Sequence, residues 1–416
     1  MVNINRQLNN PFAALRHRNF RYYWLGMCIS LIGTWMQNIA QPWLAYSLTQ
    51  SPFLLSLVSA LQFTPMLLFS LFAGVWVDRL PKKRILFFTQ SASMLITLAL
   101  AILVATGWVR YWHILVAATT LGMVNTLDMP TRQSFVIELV GKEDLMNAIA
   151  LNSSVFNLAR IVGPALAGLV MAWAGVAACF FANAVSFAAV IFGLSLIKPL
   201  TVYRSSQRQR RIWSEIRDGL AYIRREPLLL RTLLIMAVVG TFAMNYNVLV
   251  PVFVKLVLKQ QAKGFSFLMS FMGLGSFLGA LLVAALSKSG PQKLVLNVIP
   301  FFIALFLILI GCTNRFVLTG LGLAISGLCF ITFSSTANSR MQLNTRDEYR
   351  GRVMSIYTLV FGGLTPVGNL YAGLIADRFG PRTGFWASGA IIILLCGLLL
   401  VWDLKTRVRD RRTVDK

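Results

Sequence analysis

The stretch GVWVDRLPKKR, residues 74–84, lies between two long apolar runs and packs Gly74, the Asp78-Arg79 pair and three further basic residues into one short turn. A turn of this kind is where one helix leaves a membrane and the next enters, and its basic cluster assigns it to the cytoplasmic side. The composition around it agrees. Hydrophobic residues make up 57% of the chain and charged residues only 13%. Mean hydropathy is +0.69, which points to an integral membrane protein rather than a soluble domain.

A membrane-spanning helix needs about 20 apolar residues to cross about 30 Å of hydrocarbon. Twelve stretches meet that requirement: 20–47, 53–77, 84–106, 112–131, 146–172, 175–197, 228–256, 264–287, 292–312, 316–337, 350–376 and 383–403. The expected fold is therefore all-α and integral to the membrane. The net charge of +25 would suit nucleic acid, but its distribution argues against that partner. With both termini inside, Arg110, Lys255, Lys259, Lys263, Arg315, Arg378 and Arg382 fall on outer loops or outer span ends, and Arg160 lies deep within a span. The other 31 of the 39 Lys and Arg are cytoplasmic or at inner ends. That asymmetry orients the chain and makes anionic lipid headgroups the partner of the excess charge. The five cysteines (Cys28, Cys179, Cys312, Cys329, Cys396) are scattered through apolar spans, with no spacing for a disulfide framework or a metal site. No cofactor is expected. The basic N-terminal residues Arg16, His17, Arg18 and Arg21 run directly into a span too long for the apolar core of a signal peptide, so none is expected.

The chain also repeats itself. AGLVMAWAGVAACFFANA, starting at Ala167, is echoed 205 residues later by AGLIADRFGPRTGFWASG, starting at Ala372. Gly122 and Gly327 keep that offset, and Gly33-Thr34 pairs with Gly240-Thr241 at 207. Such a parallel repeat predicts two pseudo-symmetric bundles of six helices, 1–197 and 228–404, with a substrate site near the midplane between them. The segment 198–227 joins the bundles. Its first part, VYRSSQRQRR, reads as a basic loop. Its second part spaces Trp213, Ile216, Leu220 and Ile223 at helical intervals, which predicts an amphipathic helix on the inner membrane face. A basic tail, 405–416, follows the second bundle.

Charges within a membrane are expensive and therefore informative. Ser153, Asn157 and Arg160 share one face of the fifth span, which ends at Pro164. A cation there faces water, an acidic partner or an anionic ligand, or else forms a fixed ion pair between helices. The nearest acidic candidate is Asp128, which shares a face of the fourth span with Asn125 and Arg132, while Pro130 loosens that helix at its inner end. Asp128 either titrates during transport or serves as a gate strut pairing with Arg79 or Lys82. Its position near the inner boundary, where water reaches, favours the strut. Thr34, Gln37, Asn38 and Gln41 line one face of the first span, either as cavity lining or as interhelical glue. The seventh span supplies Asn245, Tyr246 and Asn247, and Asn369 occupies the place of Pro164 in the repeat. Trp35, Phe242 and Tyr246 add aromatic surface for an apolar ligand.

These motifs resemble those of the major facilitator superfamily. Gly74, Asp78, Arg79, Lys82 and Lys83 match the G-x-x-x-D-R-x-G-R-[KR] signature between its second and third helices, with Pro81 in place of the second Gly. The run from Gly163-Pro164 to Ala167-Gly168 is similar to the G-P-x-x-G-G signature of its exporters, with Ala167 in place of one Gly. Together with LDMPTRQSFVIELV and NAIALNSSVFNLARIVGPALAG, they resemble the branch of bacterial exporters that includes the enterobactin exporter and macrolide-efflux-like proteins. The resemblance implies a monomeric secondary transporter that rocks two bundles about a central cavity, driven by proton entry, to export a small amphipathic drug-like compound or siderophore. It places Asp78 against the eleventh helix as an inner gate, with Arg79, Lys82, Lys83, Asp128, Arg132, Gly163 and Pro164 as coupling or gate residues. Gln37, Asn38, Gln41, Asn157, Arg160, Asn245, Tyr246 and Asn369 are the cavity candidates. One departure is that the first span holds only amides where many proton-coupled drug exporters of this fold carry a carboxylate. A facilitator or importer of a small nutrient is the alternative. An enzyme is not expected, since His17 and His113, the only histidines, lie at membrane edges and no nucleophile–base–acid cluster accompanies them.

The charge pattern makes the topology testable. A phosphatase fused after Arg84 is expected to be inactive and one fused after Gly107 active; the reverse result overturns the orientation.

Overall fold

The computed structural model describes residues 11–197, 212–285 and 293–414. The loop-like part of the linker, the side chains of Gly74, Asp78, Arg79, Trp213 and Ile216, and those of the basic tail lie outside the described residues. Every regular element described is a helix. This is what hydrocarbon requires, because only a helix satisfies all its backbone donors and acceptors within one segment. The first five are α1 (Arg18–Thr49), α2 (Pro52–Arg79), α3 (Lys82–Ala105), α4 (Tyr111–Val140) and α5 (Leu145–Leu196). After α6 (Ile212–Arg225) come α7 (Pro227–Ala243), α8 (Tyr246–Leu256), α9 (Ala262–Ala285), α10 (Lys293–Cys312), α11 (Phe316–Leu343), α12 (Asp347–Gly363), α13 (Thr365–Phe379) and α14 (Pro381–Val414).

Nine helical stretches among the described residues are long and apolar enough to cross a membrane. Three places show how the expected spans map onto the helices. The 52 residues of α5 hold two expected spans, separated at Gly175, whose φ of +79° breaks the helix. The seventh expected span is divided between α7 and α8 by non-helical backbone at Met244 and Asn245. The eleventh is divided between α12 and α13 at Leu364. Helices α1 and α4, with 32 and 30 residues, fall outside the nine; they carry the amides and charges discussed below.

The chain forms two compact units. One holds α1 through Leu48, the part of α2 from Thr64 on, and α3 to α5; the other holds Thr49–Phe63 together with α6 to α14. Within the first, α3 packs against α4 and α5; within the second, α9 lies along α11 and α10 packs against α11 and α14. Helix α6 covers the segment whose spacing reads as amphipathic, and its second half meets protein. Tyr222 stacks on Tyr349 of α12 with ring centroids 4.4 Å apart, Gly219 admits the Ile356 side chain, and Ile223 is buried.

The repeat is visible in the backbone itself. Gly175 and Gly380, related by the 205-residue offset, both have positive φ, +79° and +85°. Gly163 of α5 presses on Trp35 of α1, and its counterpart Gly368 of α13 presses on the Thr241 carbonyl of α7. In each unit the fifth span of the repeat therefore touches the first through a glycine. Small residues let membrane helices approach closely, where packing rather than the hydrophobic effect holds them together.

The closest such approach among the described residues supplies a test. A Cβ on Gly275 of α9 would stand 1.7 Å from the Ala324 carbonyl oxygen of α11, whereas one on the exposed Gly351 of α12 would meet nothing within 4 Å. Gly275→Ala is expected to cost about 1–3 kcal/mol through overpacking and to lower the melting temperature. Gly351→Ala should be neutral or stabilising by up to about 1 kcal/mol. Equal melting temperatures for the two would remove the close contact.

Candidate functional site

In the first unit, one polar cluster is organised around Asp128, which is 4% exposed. Its carboxylate accepts from Thr89 Oγ1 at 2.6 Å and Gln90 Nε2 at 2.8 Å, both on α3, and from Arg132 Nε one turn along α4. Burial removes the water that would otherwise solvate the carboxylate, and one cation plus two neutral donors replace it. Lys82 does not reach it. Lys82 Nζ meets Glu138 Oε1 at 2.6 Å, and Lys83 Nζ donates to the Ile197 carbonyl at 2.7 Å. The expected pairing of Asp128 with Lys82 is thus corrected. Glu138 is ten residues further along α4, about 15 Å nearer the start of α3, and takes the lysine first. The expectation that water reaches Asp128 is corrected as well, because α3 covers it. The side chains of Asp78 and Arg79 lie outside the described residues.

Deeper in the same unit, Gln37 joins three helices. Its Oε1 accepts from Asn183 Nδ2 of α5 at 2.6 Å and from Thr97 Oγ1 of α3 at 3.2 Å, while its Nε2 donates to Gln41 Oε1 at 3.3 Å. Ser186 Oγ completes the set by donating to Asn183 Oδ1 at 2.9 Å. Gly33, one turn before Gln37, leaves the space that Asn183 and Ser186 occupy. The amide of Gln37 is engaged between helices and that of Gln41 accepts from it along α1, while Asn38 is half-buried beside them. Asn183 and Thr97 were not singled out from the sequence. The signal was present for Asn183, an amide within an apolar run, just as for Gln37.

Arg160 differs from these. Its Nη2 donates to Asn157 Oδ1 at 2.7 Å, and its guanidinium lies 6.0 Å from the Phe156 ring centroid. Phe156 in turn packs edge-on against Trp35, centroids 5.7 Å apart. Asn157 is steadied by its Nδ2, which donates to the Ser153 carbonyl at 2.8 Å. Among the described residues no carboxylate pairs with Arg160, and its Nε is buried without a partner. The expected alternative of Asp128 as its counter-ion is corrected, since Arg132 holds that carboxylate from four residues away on the same helix.

In the second unit the break between α7 and α8 exposes backbone carbonyls, and Asn245 caps them. Its Nδ2 donates to the carbonyls of Thr241 and Phe242 at 3.0 and 3.3 Å. Its Oδ1 is left buried without a donor, 2.9 Å from where a Cβ on Gly368 would lie. Asn245 is thereby brought beside Gly368-Asn369 of α13. Asn369 Oδ1, the Tyr246 hydroxyl and Ser326 Oγ are buried without partners as well, and Phe242 meets Tyr371 edge-on at 5.1 Å. Three sequence candidates, Asn245, Tyr246 and Asn369, thus belong to the region where two broken helices meet, and they carry unused hydrogen-bonding capacity. Among the described residues no group of His, Cys, Asp and Glu has the arrangement of a metal site.

Residues 9–415 match the family model described as transmembrane secretion effector. The chain is 26% identical over 397 residues to the staphyloferrin A transporter of Staphylococcus aureus, covering 94% of this chain and 97% of that one. It is 26% identical to the multidrug efflux pump Tap of Mycolicibacterium fortuitum, over 91% and 94% of the two chains. It is 24% identical to macrolide efflux protein A of Streptococcus pyogenes, over 90% and 94%. Among solved structures, a bacterial homologue of the human lysosomal transporter Spinster superposes with a TM-score of 0.74 at 10% identity, covering 92% of this chain and 96% of that one. A bacterial homologue of the iron transporter ferroportin does so with 0.71 at 15% identity, covering 92% and 98%. The helical architecture, the internal repeat and the match over nearly the whole length lead to one conclusion: the chain belongs to the transmembrane secretion effector family of major facilitator transporters, and it is a multi-pass membrane transporter rather than an enzyme.

Proposed function

We propose that this secondary transporter exports a small amphipathic molecule, a drug-like compound or a siderophore, by alternating access coupled to proton entry. Its seat is the bacterial inner membrane, with both termini cytoplasmic, and it acts as a monomer among anionic lipids. Export is supported by relatives named as efflux pumps, and a siderophore cargo by the relative named for staphyloferrin A. The observation that carries the cargo reading is the state of Arg160: a cation within a span, held by one amide and one ring face, with a buried donor still unused. Within the membrane such a group marks a substrate path, and a guanidinium fork matches a carboxylate or catecholate in two-point fashion. Asn157 orients the fork, and Phe156 with Trp35 supplies apolar surface beside it. Asn245, Tyr246 and Asn369 are the cavity residues of the second unit in this reading.

For coupling, Asp128 remains the best candidate. Its carboxylate is where α4 is joined to Thr89 and Gln90 of α3. Lys82, Lys83, Asp78 and Arg79 act as gate residues in the same region, and Gly163-Pro164 gives α5 a place to bend against α1.

Everted membrane vesicles test the whole reading. They should accumulate cargo only when a proton gradient is imposed; accumulation indifferent to the gradient would mark a facilitator instead. Arg160→Ala is expected to lower transport of anionic cargo by about tenfold or more, the worth of a hydrogen-bonded charge, while sparing neutral cargo and the melting temperature. Arg160→Lys should restore only part, since an ammonium keeps the charge without the planar fork. Loss of stability and of transport for every cargo alike would make Arg160 a structural pin.

Asp78→Asn is expected to cripple transport while insertion and yield stay normal, because a carboxylate at the end of α2 can serve a neighbouring helix N-terminus. Wild-type rates at equal expression would remove Asp78 from the gate.

A further inference from the structure

Helix α6 has one side on protein and the other open. Asp218, Gly219, Tyr222 and Ile223 recur at the three- and four-residue spacing that puts them on one face, and that face is seated on α12. Tyr222 stacks on Tyr349, and its hydroxyl accepts from the Arg346 backbone N–H at 3.3 Å. Asp218 Oδ2 lies 3.6 Å from Arg352 Nη1, whose guanidinium is 5.4 Å from the Tyr349 ring centroid. A Cβ on Gly219 would stand 2.8 Å from Ile356 Cδ1. Ile223, one of the apolar residues that the spacing assigns to the membrane face, is buried in this contact, whereas Leu220 is exposed.

The seat belongs to the internal repeat. Arg352 is the counterpart, 205 residues on, of Asn147 in α5. Asn147 fastens the segment ahead of α1: its Oδ1 accepts from the Ala14 N–H at 2.9 Å, and its Nδ2 donates to the Pro11 carbonyl at 2.9 Å. In each unit the stretch before the first span of the repeat is thus tied to the start of the fifth.

The opposite face of α6 carries Arg217, Leu220, Ala221 and Arg224, with Arg225 at its edge, all of them exposed. It holds three cations and, within the described side chains, no acid. Among the described residues no carboxylate pairs with any of the three. The helix lies along the first turns of α12, which open the apolar stretch Asp347–Phe379, and it ends just ahead of Pro227, where the apolar stretch Pro227–Leu256 begins. Both stretches are long and apolar enough to cross a membrane. The cationic face is therefore carried at a level where hydrocarbon gives way to headgroups.

We propose that this arginine face is a binding surface for anionic phospholipid headgroups, with Arg217, Arg224 and Arg225 holding phosphates and Leu220 meeting the acyl boundary. A guanidinium grips a phosphate at two points, and its stem covers apolar surface while the charged end stays polar. Helix α6 is then an adaptor with protein on one side and lipid on the other, through which the charge of the leaflet bears on the start of α12. The inference rests on the reading above that anionic lipids surround the chain; cargo, direction and coupling do not enter it.

Photochemical crosslinking tests it. The full-length protein, with p-benzoylphenylalanine substituted for Ala221, is placed in vesicles of equimolar phosphatidylcholine and phosphatidylglycerol and irradiated. Adducts at that position are then identified by mass. Phosphatidylglycerol adducts are expected to exceed phosphatidylcholine adducts by about fivefold or more, the factor that one arginine near an anionic surface supplies. Combining Arg217→Gln, Arg224→Gln and Arg225→Gln should bring the ratio to about one. Raising the salt should lower it with the arginines in place, as screening requires, and this arm decides alone should the triple variant fail to fold. A ratio near one at low salt overturns the proposal, as does a ratio that neither the triple variant nor salt changes. Adducts to a protein instead of lipid overturn it as well, since the face would then dock a polypeptide. Phosphatidylglycerol retained by the whole protein, counted by native mass, but absent from position 221 would remove this face while leaving anionic lipids as its surroundings. Retention of none would remove both.

Discussion

A polar group inside a bilayer has no water to fall back on, so each one either finds a partner in the protein or remains open for something else to bind. This constraint explains most of the arrangement. Asp128 collects Arg132, Thr89 and Gln90; Lys82 takes Glu138; Gln37 ties α1 to α3 and α5. Each set joins helices that would otherwise meet only through apolar surface no stickier than lipid. Satisfied polar groups thus specify which helices are neighbours. Unsatisfied ones, the Arg160 Nε and the amide oxygens of Asn245 and Asn369, are where function is to be sought.

The same solvent explains the glycines. With little hydrophobic drive between spans, association depends on close van der Waals approach, and Gly26, Gly163, Gly275 and Gly368 all lie where a side chain would collide with a neighbouring helix. Because Gly163 and Gly368 do this at equivalent places, the fifth span of each repeat sits on the first. The helix breaks belong to the same scheme. Asn245 can interrupt the seventh span because its amide donates to the carbonyls that the break sets free, which is how a membrane helix tolerates irregular backbone.

Much of this was legible in the residues. Apolar run lengths predicted the helices, and the repeat reappears in the positive φ of Gly175 and Gly380. The polar faces of α1, α4 and α5 were found because an amide or a charge is conspicuous in an apolar run. Pairings were less legible. Of the partners offered for Asp128, Lys82 takes Glu138 instead, and of those offered for Arg160, Asp128 is held by Arg132, because partner choice depends on depth along the helix and on which neighbour covers the group.

By itself, then, the sequence determined class, duplication and the inventory of costly groups, because hydropathy and charge act locally and can be summed along a chain. Only the tertiary structure decided which of those groups are satisfied. A hydrogen bond reaches about 3 Å, and whether Thr89 meets Asp128, or Asn183 meets Gln37, depends on how helices distant in sequence cross, which no local pattern of residues records.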